Sequence, residues 1–400
     1  MRHHEAGRQT TCRKILLLVT EDWFALSHFK PLIGALRETA HELVVATRSS
    51  GRVSEIAALG ARVVAFDFRR SSLQPLEQAA TVGRLARLIR AERPDVVHVV
   101  AMQPMVLTSL ALRLVSVPRV VMHLTGLGFL GISNSRSARY IRPAAFAALA
   151  GVLRRNSTWL LAENPDDVAY LAENGAEAGQ RVTILGGAGI DPEAFPAQAP
   201  PANVPPVAAF VGRMIRSKGL DTLVAAQRRL AAEGIPLALA LYGKSDVDNP
   251  DAIAPAEIEG WQRQGLVTWH GHVSDIRAVW AGADIAVLPA ITREGMPRAV
   301  LEAAASARPL IVTDVPGCRH FVRDGMEGLV VPPGDATALA DALALLARDG
   351  EMRHRLGMAA RQRVLSGFTI GDVEAGIHRA YAHLLGPAHG PAPWHAHAGP

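Results

Sequence analysis

The segment Arg293-Glu294-Gly295-Met296-Pro297-Arg298, continuing to Glu302, concentrates the residues best suited to chemistry. It follows the apolar run 285–288, which reads as a buried strand. Pro297 falls where a first helical residue is expected, because its ring fixes the φ a helix start needs. Amides around Gly295, Met296 and Arg298 would then point out of a helix N-terminus, which attracts anions. Glu294 precedes that helix. Glu302 lies about five residues inside it, roughly 7.5 Å along its axis. Two carboxylates flanking an anion-attracting helix end can accept hydrogen bonds from two sets of sugar hydroxyls. A capped amphipathic helix with surface acids fits the same segment, and spacing alone leaves both readings standing.

A second constellation is Val211-Gly212-Arg213-Met214-Ile215-Arg216-Ser217-Lys218-Gly219-Leu220, which ends one apolar run and begins a helical pattern. In a βα unit such a turn meets phosphates. Arginine offers a planar fork and lysine a point charge, so Arg213 and Lys218 suit a diphosphate. Lys218 is one of four lysines, with Lys14, Lys30 and Lys244. A solvated turn is the alternative, above all for Arg216. Two other patterns carry less. Gly126-x-Gly128-x-x-Gly131 matches a dinucleotide fingerprint but follows a late strand, with no acid about 20 residues on. Asp246 and Asp248 have Asp-x-Asp spacing without further metal ligands in evidence. Both read as loops, and no metal site is expected.

These segments need a scaffold. Apolar runs at 15–20, 42–47, 62–66, 96–100, 119–123, 159–162 and 182–185 alternate with helical patterns such as 75–93 and 135–155. Prolines 192, 196, 200, 201, 205 and 206 then mark a semi-rigid spacer. A second series of runs follows at 207–211, 237–242, 266–269, 285–288, 309–312 and 328–331, with helices about 219–233, 254–264, 296–307 and 336–346. This rhythm predicts an α/β chain of two doubly wound, Rossmann-like domains facing a central cleft. The expected organisation is a tail over 1–12, a first domain over 13–195, a linker over 196–206 and a second domain over 207–368. A closing helix over 369–385 is placed against the first domain. A disordered tail over 386–400 contains His389, His395 and His397.

Composition excludes several classes. The chain has 400 residues, 49% hydrophobic, with a net charge of +5, so its bulk is not disordered. Arginines are spread along it rather than clustered, which argues against a nucleic-acid binder. Cys12 and Cys318 make no disulfide framework, and the expected compartment is reducing. No run reaches 18 apolar residues, and the run at 15–19 is too short for a signal peptide.

Taken together, the motifs resemble retaining, nucleotide-sugar-dependent glycosyltransferases of the GT-B fold, in glycosyltransferase family 4. The second-domain matches are Gly212-Arg213 with Lys218-Gly219, Gly271-His272-Val273, Glu294 spaced to Glu302, and Pro316-Gly317-Cys318-Arg319 through Asp324-Gly325 to Gly328-Leu329-Val330-Val331-Pro332. In the first domain, Glu21-Asp22-Trp23-Phe24 with Ser27-His28, Thr125-Gly126-Leu127-Gly128-Phe129 and Asn164-Pro165-Asp166-Asp167 resemble bacterial members that build lipid-linked surface glycans.

The resemblance implies roles. Arg213 and Lys218 would hold the donor diphosphate and Glu302 the ribose. Glu294, with the amides of Gly295, Met296 and Arg298 beside Pro297, would hold the donor sugar. His272 and Val273 would present backbone to the base. His123, at a strand end facing the cleft, would lie near the transferred sugar, and Gly126, Gly128 and His28 would shape the acceptor side. The implied enzyme is a metal-independent hexosyltransferase without cofactor. It would take a nucleotide diphosphate sugar, with UDP the family's commonest choice, to a glycan or polyprenyl-diphosphate-linked acceptor. Its implied place is the cytoplasm, with peripheral contact to the anionic inner face of the membrane. Two rival readings are a nucleotide-sugar epimerase of the same fold and a catalytically silent sugar- or lipid-binding subunit. Three departures stand out: Ala307 where the family has Gly, His320 where it has Glu, and Glu21-Asp22-Trp23 in the first loop where many relatives carry a Gly-Gly pair.

Overall fold

The computed structural model describes residues 12–68, 74–128, 136–201, 203–246, 249 and 251–386. Asp248, Gly131, the first eleven residues and the histidines of the C-terminal tail lie outside that set. The chain forms two compact units: Met1–Ala188 together with Gly371–Pro400, and Gly189–Ile370.

In the first unit, strands β1 (Cys12–Glu21), β2 (Ala40–Arg48), β3 (Arg62–Ala65), β4 (Val96–Val100), β5 (Arg119–Leu124), β6 (Thr158–Ala162) and β7 (Val182–Ile184) form one sheet. Their order is β3-β2-β1-β4-β5-β6-β7, with every neighbouring pair parallel. β1 begins at Cys12, the last residue of the stretch read as a tail over 1–12. Ile15, Leu17 and Val19 feed one apolar layer, whereas Leu16 and Leu18 feed the other. Burial on both faces explains the unbroken apolar run that replaces an alternating pattern. The helix Ile370–Leu385 covers one layer with Val373, Ile377, Ala380 and Tyr381. Its carbonyl at Leu384 accepts a 3.0 Å bond from Arg119 Nε, and its His383 stacks on Trp159.

The second unit contains β8 (Val207–Val211), β9 (Ala238–Tyr242), β10 (Thr268–Trp269), β11 (Ile285–Leu288), β12 (Leu310–Thr313) and β13 (Gly328–Val331). Their order is β10-β9-β8-β11-β12-β13, again all parallel. The proline-rich stretch belongs to this unit. Arg308 Nη2 donates to Ala199 O at 2.9 Å, and Asn203 Nδ2 donates to Asp284 Oδ2 at 2.8 Å. Leu266 and Val267 are buried but precede the short β10 instead of extending it.

The chain order of strands reverses between β8 and β11. In doubly wound sheets the loops leaving the carboxyl ends of two such strands frame the ligand crevice. Both constellations singled out by residue type therefore lie on the two loops that matter: residues 212–219 after β8 and 289–297 after β11.

Candidate functional site

The loop after β8 tightens into a 3-10 turn, Arg216–Lys218, before the helix Leu220–Ala232. Asp251 fixes the turn by accepting from Ser217 N at 2.7 Å. Gly219 ends the turn at φ 77°, and a Cβ there would sit 1.8 Å from Pro289 O. Only glycine allows this close approach of the two loops. Ile291 N donates to Ser217 O at 2.9 Å, sealing them together.

On the other side, Glu294 N donates to Pro316 O at 3.3 Å. Gly317, at φ 81°, places its missing Cβ 2.1 Å from Gly295 O. The loop after β12 thus props the backbone of Glu294 and Gly295 from behind, which gives Pro316-Gly317 a positioning role. The helix that follows is Arg298–Ala305, shorter than the expected 296–307. Pro297 is its N-cap, not its first residue: φ −68° and ψ 116° are extended. Val300 N and Leu301 N both donate to Pro297 O. At the far end Ala307 adopts φ 57°, the left-handed conformation that its glycine-like position demands.

The candidate side chains are joined in ion pairs. Lys218 Nζ lies 2.7 Å from Glu294 Oε1, with the two side chains 18% and 17% exposed. Arg298 Nε lies 2.8 Å from Glu302 Oε1, four residues on along one helix face. Arg213 Nη1 lies 2.8 Å from Asp246 Oδ2 on the loop after β9. Every cation assigned to phosphate and every carboxylate assigned to sugar is therefore already paired. An incoming diphosphate can take the cations, and hydroxyls can take the carboxylates, by exchange of partners instead of by baring charge. Asp246, read earlier only as half of an Asp-x-Asp loop, is the partner that residue spacing does not reveal. Arg216 is engaged elsewhere, with Asp221 and Glu257, and stabilises the turn.

Glu302 is only 8% exposed; burial pushes its pKa up, opposed by Arg298. Cys318 is buried, and burial holds its thiol well above the ordinary range, so it is inert as a nucleophile. His272 and Val273 lie on the loop after β10, which is tied to the loop after β9 by Gly243 N donating to Gly271 O at 2.6 Å. His320 packs edge-on against Phe368.

The first unit holds the residues assigned to the acceptor. Asp22 opens the helix Asp22–His28 at the end of β1. Burial raises its pKa, but bonds from Ser50, Arg52 and Trp23 outweigh that and hold it below the usual carboxylate range. His28 Nδ1 lies 2.7 Å from Ser27 Oγ. Gly126 and Gly128 follow β5 at φ 121° and 54°. His123 is not at an open strand end: it precedes the last residue of β5 and is 2% exposed. Its ring packs edge-on against Phe29, and its Nδ1 lies 3.4 Å from His98 Nε2, whose Nδ1 meets Tyr381 Oη at 2.9 Å. Burial lowers the His123 pKa to about 3, so it is neutral at physiological pH.

Comparison with known proteins adds the following. Residues 14–158 match the family described as glycosyl transferase 4-like, and residues 205–349 match glycosyl transferases group 1. A Campylobacter jejuni protein, the N,N'-diacetylbacillosaminyl-diphospho-undecaprenol alpha-1,3-N-acetylgalactosaminyltransferase, is 23% identical over 354 residues, covering 85% of this chain and 91% of its own. The lipopolysaccharide core biosynthesis glycosyltransferase LpsE of Rhizobium meliloti is 31% identical over 185 residues, 46% of this chain and 51% of that protein. Among solved structures, Anabaena HepE in complex with UDP and glucose has a TM-score of 0.72 at 16% identity, covering 93% of this chain and 100% of its own. The sucrose-phosphate synthase of Thermosynechococcus elongatus has 0.73 at 22%, with 93% and 99% covered. At those identities the likeness is one of fold: two Rossmann-like α/β domains of the GT-B class.

Proposed function

With a glycosyl transferase 4-like domain and a glycosyl transferases group 1 domain, the chain is a glycosyltransferase, and we propose that it moves a sugar from a nucleotide diphosphate sugar to a glycan hydroxyl with retention. The single observation that carries this reading is the pairing of Lys218 with Glu294, 2.7 Å apart, between the loops after β8 and β11. A diphosphate needs the lysine and a sugar needs the carboxylate, and one position supplies both.

Breaking the bond from sugar to phosphate places charge on the departing diphosphate. Arg213 and Lys218 meet that charge from fixed positions, and the helix start at Arg298 adds its dipole. Glu302 accepts from the ribose and Glu294 from the sugar. In retaining members of the resembled family the leaving phosphate helps deprotonate the acceptor on the same face, so no protein nucleophile is assigned. Because Arg213, Lys218 and the helix start meet the diphosphate charge that a metal meets elsewhere, turnover independent of a metal ion is part of the proposal. The acceptor side is assigned to the first unit, to His28, Gly126 and Gly128, with His123 buried and neutral near the end of β5. The Campylobacter relative's name includes a diphospho-undecaprenol sugar, which supports a lipid-linked acceptor in surface-glycan synthesis. UDP as the base is supported by the UDP complex of the Anabaena neighbour. Contact with an anionic membrane is part of the same proposal. Its surface is the start of the helix Arg136–Leu153, where Tyr140 is 84% exposed beside Ile141 and Arg142.

A donor panel with a polyprenyl-diphosphate-linked acceptor tests the reading. Acceptor-dependent release of nucleoside diphosphate, undiminished by chelator, is the expected result. Interconversion of the donor without release would identify an epimerase. Binding of donor with neither outcome would identify a silent subunit.

A further inference from the structure

Resting on the donor-site reading above, we propose that the Arg298 guanidinium is a positioning group for Glu302: by engaging Oε1 it keeps the carboxylate anionic and oriented for the ribose diol of a bound nucleotide. The geometry has three parts. Arg298 and Glu302 are one helical turn apart on the same face, with Nε to Oε1 at 2.8 Å. Glu302 is nearly sealed, while Arg298 is 39% exposed and reaches over it. The helix is short, so both residues belong to its first two turns, next to the loop that carries Glu294.

A ribose diol presents two O–H donors, and an anionic carboxylate accepts them. A protonated one spends an oxygen as a donor and matches the diol poorly. Burial favours the protonated form. The charge opposing it is that of Arg298, while the Trp280 indole adjoins the carboxylate from the helix Ile276–Gly282. Arg277 of that helix bonds Asp275. On the packed elements, Glu351 and His354 belong to the helix Gly350–Leu365, where Arg355 bonds Gly325 O and Arg363 bonds Phe321 O. On the helix Gly350–Leu365, Arg361 bonds the carbonyls of Phe195 and Ala305, and Arg353 bonds those of Leu346 and Ala347. β11 and β12, beneath the helix, carry no charged residue. Removing the guanidinium therefore leaves burial opposed by the Trp280 indole alone among the groups that act on this carboxylate. Glu302 then takes up a proton at higher pH, and nucleotide binding weakens as pH falls through that raised value.

Calorimetry with UDP, GDP and ADP tests this on the full chain. The proteins compared are wild type, Arg298→Met, Arg298→Lys and the double variant Arg298→Met with Glu302→Gln. Titrations run from about pH 5.5 to 8.5, and each variant is expressed as a ratio to wild type. The ratio cancels titration of the probe's own terminal phosphate near pH 6. The expected result is an Arg298→Met deficit that grows as pH falls, by up to about tenfold per pH unit. Lysine should restore most of it, and the double variant should show a deficit that does not change with pH. A pH-independent deficit in Arg298→Met, a lysine variant no better than methionine, or a pH dependence that survives in the double variant would each overturn the inference. A wild-type protein that binds none of the three nucleotides overturns the donor-site reading itself, and this inference with it.

Discussion

Lys218 and Glu294 share a largely buried position, whereas Arg213 and Asp246 pair where the arginine is exposed. The two cations should therefore fail differently. Lys218→Ala and Arg213→Ala each remove a charge-assisted contact to diphosphate, worth roughly 1.5–3 kcal/mol, or about tenfold to a hundredfold in kcat/KM. Lys218→Ala also strands Glu294, so thermal melting should show a lower Tm. Arg213→Ala breaks only an exposed pair and should melt like wild type. The two carboxylates divide as well. Glu302→Ala should weaken binding of free UDP, while Glu294→Ala should leave it intact and reduce sugar transfer. Calorimetry set beside turnover separates them, and equal losses of UDP affinity would contradict the division.

The elements show what a sequence can and cannot convey. Strands such as β4 and β11 are buried on every residue, so their apolar runs mark them directly. The helix Met102–Ala111 buries nearly all of its residues and lacks a polar stripe, so no 3.6-residue period announces it. Glu294, Glu302, Arg213 and Lys218 are legible because residue type and turn position agree. Asp246 as the partner of Arg213, and the chain from His123 through His98 to Tyr381, are not. Those contacts depend on strand order and on the last helix lying against the first sheet, and Tyr381 is 283 residues from His98. Pro297 shows a finer miss, since its ring suits both the N-cap and the first helical position. At Ala307 the backbone adopts a left-handed conformation that a side chain resists. Ala307→Gly should raise stability by about 1 kcal/mol, read as a higher denaturation midpoint without a change in slope.

At the scale of the whole chain, no helix among the described residues is long and apolar enough to cross a membrane. The helix Arg136–Leu153 also turns Phe146, Leu149 and Leu153 into the first unit's core. Those side chains pack on the sheet and are not available to a bilayer. What remains for a bilayer is the exposed Tyr140 and Ile141, while Arg154 and Arg155 bond the carbonyls of Gly175 and Val117. Sedimentation with anionic vesicles should show binding that weakens with salt, by about 1 kcal/mol per basic residue lost near the surface. Tyr140→Ser should weaken it further. No binding at low salt would assign the acceptor to solution or to a protein partner.

The central claim is that the loops after β8 and β11 form the donor site. A crystal structure of the protein with UDP tests it most directly. The account predicts phosphate oxygens about 3 Å from Lys218 Nζ and from the Arg213 guanidinium, with Glu302 on the ribose hydroxyls. It also predicts that both cations have left Glu294 and Asp246. Ordered UDP with its phosphates elsewhere, and the Lys218–Glu294 pair intact, would contradict it.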